Sequence, residues 1–368
     1  MAQTIIGVND PQTNQAWSKK CFVESLKETL MDRFVGSGDN NAITVRDELK
    51  SGGDRITISL RKQLSGKGVM GDAVAENQAE ALSWHTDKLY IDQLRHVVNV
   101  TGLMSQQRVP YSKRNEANSG LRDWWSARFD TSFLNQAAGN TAQTELEYTG
   151  LNPCIAPTTG RWLFGGTATA ESGLTSVTEK FTLQHIDKCV LRARVPSPGH
   201  PPIRAIRIGG KDYYIMVLHP NQAFDLRTNM SEGQWVKLQL AAMQGGKIND
   251  NPLITGALGQ YGPVLLYEAA RVPFGDNTQA NAADKTDLGA PAAGTTNVAR
   301  AVFMGAQALG MAFGRDGGWP EKLRWVEVLK DGENQLNIFA GMIFGVKKMV
   351  FNSVDYSTIV VSTYSPGS

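Results

Sequence analysis

The chain has 368 residues, 41% apolar and 20% charged, the make-up of an ordinary packed protein, which excludes wholesale disorder. Its 37 basic and 35 acidic residues leave a formal charge of +2, too balanced for a protein whose main work is gripping phosphate backbones. Three cysteines, Cys21, Cys154 and Cys189, form no CxxC pair and cannot all be bridged internally, which favours a reducing compartment.

Residues 1–16 are polar and read as a loose tail, without the basic region and apolar run of a secretory signal. From Trp17 to Phe34, the spacing of Phe22, Val23, Leu26, Leu30 and Phe34 predicts an amphipathic helix ended by Gly36, Gly38 and Asn40. The stretch from Gly52 to Val100 predicts a long two-stranded arm. Its first limb, Asp54 to Arg61, alternates Ile56, Ile58 and Leu60 with polar neighbours, glycines crowd the tip at Gly66, Gly68 and Gly71, and Lys88 to Val100 returns. Such an arm has no room for a core of its own, and an isolated hairpin is marginal in water. Something outside it must cover it, either a neighbouring domain or a neighbouring copy, and Leu60, Leu64, Val69, Met70 and Trp84 are the candidate contacts.

Ser112 and Glu116 then open a helix of about 25 residues, ~38 Å long, stopped by Gly139. Its stripe of Leu121, Trp124, Trp125, Phe129 and Phe133 reads as core packing. Asn140 to Lys180 reads as irregular, Phe181 to Arg194 as regular, and the prolines at 196, 198, 201 and 202 mark a domain boundary. Six basic residues and no acidic one lie between Lys188 and Lys211; a solvated face explains them better than a polyanion site. Strands are predicted at Tyr213–Leu218, Val264–Val272, Val302–Phe313, Leu323–Leu329, Ile338–Phe351 and Thr358–Tyr364, and helices at Gln222–Asn229 and Trp235–Met243. Residues 275–299 have the composition of an exposed loop, and Ala301 to Gly314 is too short to span a membrane. The class is α+β.

Chemical motifs are few. Gly66-Lys67-Gly68-Val69-Met70-Gly71 is a formal GxGxxG, with Asp92 beyond it, but Arg61-Lys62-Gln63-Leu64-Ser65 is not the buried strand that a dinucleotide site needs. Gly245-Gly246-Lys247 is followed by Ile248, which is not a Walker sequence, and no GxSxG occurs. His185 with Cys189 is a lone pair rather than a metal set, His85 with Asp87 lacks a nucleophile, and His219 before Pro220 reads as a strand-end hydrogen-bonding residue. No catalytic constellation, cofactor site or metal site is expected.

The order of segments resembles the major capsid proteins of tailed bacteriophages with the Hong Kong 97-type fold, in particular the branch related to the coliphage N-four coat protein. The first stretch carrying the resemblance runs from Gly52-Gly53-Asp54 through Gly68 to Asp72, then Ile91-Asp92 and Gln106-Gln107-Arg108, into the Trp124-Trp125 helix. The second holds Pro202-Ile203-Arg204, Tyr213-Tyr214, Leu218-His219-Pro220, Asp225-Leu226-Arg227 and residues 251–259. Gly305 to Ala308, Gly345 to Lys348 and Phe351-Asn352 form the third. Asp331-Gly332-Glu333-Asn334 departs from the Asp-aromatic-Gly-Asn turn of the family, and Asp355-Tyr356-Ser357 lacks its glycine.

The resemblance implies an N-terminal arm (1–51), an extended loop (52–100), a peripheral domain on a long spine helix (101–200 with 331–368) and an axial domain (201–330). It implies a non-enzymatic protein that self-assembles as pentamers and hexamers into an icosahedral shell around double-stranded DNA. A portal protein at one vertex, with scaffolding and decoration proteins, would be its further partners. It places the chain in the virion capsid, assembled in the host bacterial cytoplasm, with no membrane partner. The alternatives are an encapsulin-like compartment shell and, from another class, a soluble ligand-binding or hydrolytic protein whose arm packs internally.

Overall fold

The computed structural model describes residues 30–46, 48–72, 74, 76, 78–100, 102–108, 112–197, 199–228, 258–275, 297–314 and 323–366. The expectations for residues 1–29, Cys21 among them, for the helix at Trp235–Met243, for 251–257 and for most of the 275–299 loop lie outside these residues.

In chain order the main elements are β1 (Ile43–Arg46), β2 (Arg55–Arg61), β3 (Trp84–Tyr90), β4 (Asp92–Val100), α1 (Lys113–Ala138), α2 (Leu183–Arg194) and β5 (Lys211–Leu218). There follow α3 (Pro220–Thr228), β6 (Val264–Glu268), β7 (Val298–Met304), β8 (Leu309–Phe313), β9 (Leu323–Lys330), β10 (Gln335–Lys348) and β11 (Thr358–Tyr364). Residues Met31–Phe34 make a short 3-10 turn, so the predicted helix does not run through to Phe34 in α form.

Two sheets hold the body together. In the first, β10 is the common antiparallel partner of β4, β8 and β9, and β8 pairs in parallel with β1. In the second, β7 lies antiparallel between β11 and β5, and β5 pairs in parallel with β6. Strand β5 is buried on both faces: Ile215 and Val217 join one core cluster, Tyr214, Met216 and Leu218 the other. That is why its residues read as a continuous apolar run. The first cluster fills the space between α1, the first sheet and one face of the second sheet. The other cluster packs Ile186, Cys189 and Ala193 of α2 and Leu226 of α3 on the opposite face.

Helix α1 is the long element foreseen. Ser112 caps it, its hydroxyl accepting from the Asn115 N–H at 3.4 Å, and Gly139, at φ 63°, takes the left-handed conformation that ends it. Leu121, Trp125, Phe129 and Phe133 are fully buried at intervals of four, so the stripe is core. Trp124 is different: it is half-buried at the edge of the cluster, stacked on His96 at 4.5 Å, with the Arg128 guanidinium over its ring at 4.7 Å.

Several expectations are corrected. The predicted strand Val302–Phe313 is two strands, because the chain turns at Ala306-Gln307, where Gln307 has φ 58°. Each half then joins a different sheet. Strands of residues 201–330 enter both sheets: β8 and β9 lie in the first with β10, and β5, β6 and β7 lie in the second with β11. Residues 30–46 of the expected N-terminal arm are seated on the chain's own body. Leu30 and Met31 N–H groups donate to Asp130 of α1 at 3.4 Å, Met31 and Ile43 are fully buried, and β1 pairs with β8.

Candidate assembly site: the arm and its seat

The arm is a two-stranded ribbon, β2 against β3, with seven paired positions from Arg55 opposite Tyr90 to Arg61 opposite Trp84. Its return limb is not one strand, as expected, but two. At Ile91 the chain leaves the arm, and β4 runs antiparallel along β10 inside the body sheet. Hence only the limb up to Tyr90 belongs to the arm.

The base of the ribbon is seated firmly. Ile56, Leu89 and Ile91 are buried with Leu49 and Ala312 in a small cluster of their own. The Asn152 side chain clamps the junction, accepting from Tyr90 N–H at 2.9 Å and donating to the Tyr90 carbonyl at 2.7 Å. Asp87 pairs with the Lys347 ammonium and accepts from Val350 N–H at 3.1 Å, while Lys347 also donates to the Lys88 carbonyl at 2.8 Å. A Cβ at Gly345 would stand 1.9 Å from the Tyr90 carbonyl oxygen, so the close passage of β3 over β10 requires glycine there. His85 and Asp87 do share a strand, yet Asp87 is spent on Lys347 and serves as an anchor.

The distal arm is otherwise. Leu64 is 57% exposed, Val69 37%, Met70 92% and Trp84 56%, while Leu60 is half-buried. The structure adds Val74 and Leu82, exposed on the same tip, which sequence reasoning missed because neither falls on an alternating strand pattern. The GxGxxG glycines lie on this tip, after four residues outside any strand, which is incompatible with a dinucleotide fold.

The other chemically suggestive residues are structural. His185 and Cys189 sit one turn apart on α2, both buried; desolvation lowers the imidazole pKa and raises that of the thiol. Burial likewise pushes Cys154 up to about 12, far from a reactive thiolate. His219 Nδ1 accepts from the Asn221 N–H at 3.2 Å, the strand-end role expected of it. Among the described residues no three His, Cys, Asp or Glu side chains gather as a metal site, and no helix is long and apolar enough to cross a membrane. The six basic residues from Lys188 to Lys211 are all exposed, with Arg207 paired to Asp212 at 3.2 Å.

A projecting ribbon, a long spine helix and two interleaved sheets define a shell-building coat protein of the Hong Kong 97 type. The profile of the family described as "Phage capsid protein" matches residues 5–367, and the chain belongs to that family. It is similar to the major capsid protein of Pseudomonas phage KPP25, at 27% identity over 92% of this chain and 89% of that protein. Among solved structures it resembles the capsid of Ralstonia phage GP4, with TM-score 0.77 and 29% identity, over 99% of this chain and 98% of that one. The fold of the cyanophage Pam1 capsid is also alike, at TM-score 0.69 and 17% identity, over 93% and 94% of the two chains. The chain is therefore a major capsid protein of a tailed phage, a structural component of the virion and not an enzyme. The compartment-shell and ligand-binding alternatives give way to this reading.

Proposed function

We propose that the chain forms pentamers and hexamers in which the distal arm of each copy is buried beneath or over its neighbours, closing an icosahedral head around double-stranded DNA. The observation that carries this reading is the contrast along one ribbon: a base packed into its own body and a tip whose Leu64, Val69, Met70 and Trp84 stand in solvent. Covering them is worth about 25 cal/mol for each Å² of apolar surface removed from water. Obligate contacts of this kind run to ~2,000 Å² or more.

In the assembled head the sheet of β4, β8, β9 and β10 with α1 would form the peripheral region. The sheet of β5, β6, β7 and β11 with α2 and α3 would form the axial region near the capsomer centre. A portal protein at one vertex, scaffolding and decoration proteins are the further partners, and the DNA is enclosed without sequence-specific contacts. The near-neutral charge suits such a wall.

A single substitution tests the reading. Met70→Asp places a charge on the most exposed apolar side chain of the tip without touching the body. It should leave the unfolding midpoint unchanged and abolish particles in sedimentation and negative-stain images. Normal particles from this variant would refute the burial of the tip between copies.

A further inference from the structure

The glycine-rich tip, useless as a nucleotide cradle, holds a different anion. The β2–β3 ladder ends at Arg61 opposite Trp84, and one more rung follows, from Lys62 N–H to the Ser83 carbonyl at 2.9 Å. Continued outward, the same register brings Ser65 opposite Glu80, beyond the end of either strand.

At that position a side chain takes over from the ladder. The Glu80 carboxylate oxygens accept from the Ser65 N–H at 2.9 and 3.0 Å, from the Gly66 N–H at 2.6 Å and from the Ser65 hydroxyl at 3.1 Å. Successive backbone N–H groups turned toward one point form an anion-binding nest, and this one is filled from within. A Cβ on Gly66 would lie 2.8 Å from Glu80 Oε2, so the first glycine of the triplet makes room for the carboxylate. The Ser65 and Gly66 N–H groups, with Lys62 nearby, hold the carboxyl below the usual range, so it stays charged at neutral pH.

We propose that Glu80 is a positioning residue for shell assembly: its side chain closes the 65–80 loop and presents Val69 and Met70 in the shape that a neighbouring copy accepts. This rests on the reading that the tip is buried between copies. The physical advantage is preorganisation, since a loop already ordered in the free subunit loses less conformational freedom when it docks. Glutamine can do only part of this work: its carbonyl can accept the Ser65 and Gly66 N–H groups at the Oε2 position, but its NH2 then faces the Ser65 N–H that Oε1 accepts at 2.9 Å. Alanine can do none of it.

The test uses the full chain in three variants, Glu80→Ala, Glu80→Gln and Gly66→Ala. Two quantities are read: amide hydrogen exchange across 64–81 in the unassembled subunit, and particle yield by light scattering at fixed concentration. The expected result is faster exchange in that loop and a several-fold drop in yield for Glu80→Ala and Gly66→Ala, at an unchanged body unfolding midpoint. Glu80→Gln should fall between Glu80→Ala and the parent chain in both. The proposal is overturned if Glu80→Ala assembles as the parent chain does, or if Glu80→Ala leaves hydrogen exchange in the loop unchanged. Met70→Asp separates the two levels. If it blocks assembly while Glu80→Ala does not, only the clasp is wrong; if it assembles normally, the burial of the tip falls too, and the clasp with it.

Discussion

Lys348 and Asp355 form an ion pair at 2.9 Å with both side chains 1% exposed, and Lys348 also donates to the Ile155 carbonyl at 3.0 Å. Such a pair adds little net stability over an apolar equivalent, yet removing one partner strands the other charge in a dry site. Asp355→Asn should therefore cost about 3–5 kcal/mol, measurable as a lower denaturant midpoint. Two histidines contribute to the acid side of the stability curve. Desolvation is the first cause holding both His96 and His185 below their ordinary value of 6.5, reinforced by Arg128 for His96 and by Lys188 for His185. The folded chain prefers the neutral rings and the unfolded chain takes up protons first, so their contribution to stability is complete above pH 6.5 and declines as pH falls through it. His96→Gln should flatten that decline, as followed by thermal unfolding across the acid range; an unchanged slope would remove His96 from the account.

At the scale of elements, α1 shows how two adjacent tryptophans take different parts. Trp125 is fully buried, 5.6 Å from Phe129 and 6.0 Å from Phe344 of β10, and its loss opens a cavity at the centre of the main cluster. Trp124 sits at the rim, in contact with the His96 ring and the Arg128 guanidinium. Trp125→Ala should cost ~3–5 kcal/mol and Trp124→Ala clearly less, both read by chemical denaturation. Equal costs would mean that the rim stack matters as much as the core. Strand β10 is the other organising element, since losing its pairing would detach β4, β8 and β9 together.

At the scale of the whole molecule, the arm is joined to a body that does not need its tip. Replacing residues 62–83 by a two-residue turn keeps all seven paired positions of the β2–β3 ribbon and the cluster of Ile56, Leu89 and Ile91. The variant should fold with an unchanged thermal midpoint and remain a small species in analytical ultracentrifugation. A shell from the shortened chain, or an unfolded product, would contradict this division between body and tip.

Local chemistry alone decided the elements whose signals are short-range. Ser112, the aromatic stripe and Gly139 defined α1 to within a residue, Thr358–Tyr364 read as a strand and is one, and the alternation of Ile56, Ile58 and Leu60 was enough to show a ribbon with one dry face. The order of segments also carried the family. Partnership was invisible, since period and propensity report how deeply a residue is buried and not what buries it. Nothing in Lys88 to Val100 tells that Tyr90 ends the arm and Asp92 enters the body sheet; Asn152 and Gly345, distant in the chain, decide it. In the same way Gln307 sends β7 and β8 to different sheets, and Glu80, an unremarkable acid in an exposed loop, acquires its meaning only from the two N–H groups that the fold of the tip turns toward it.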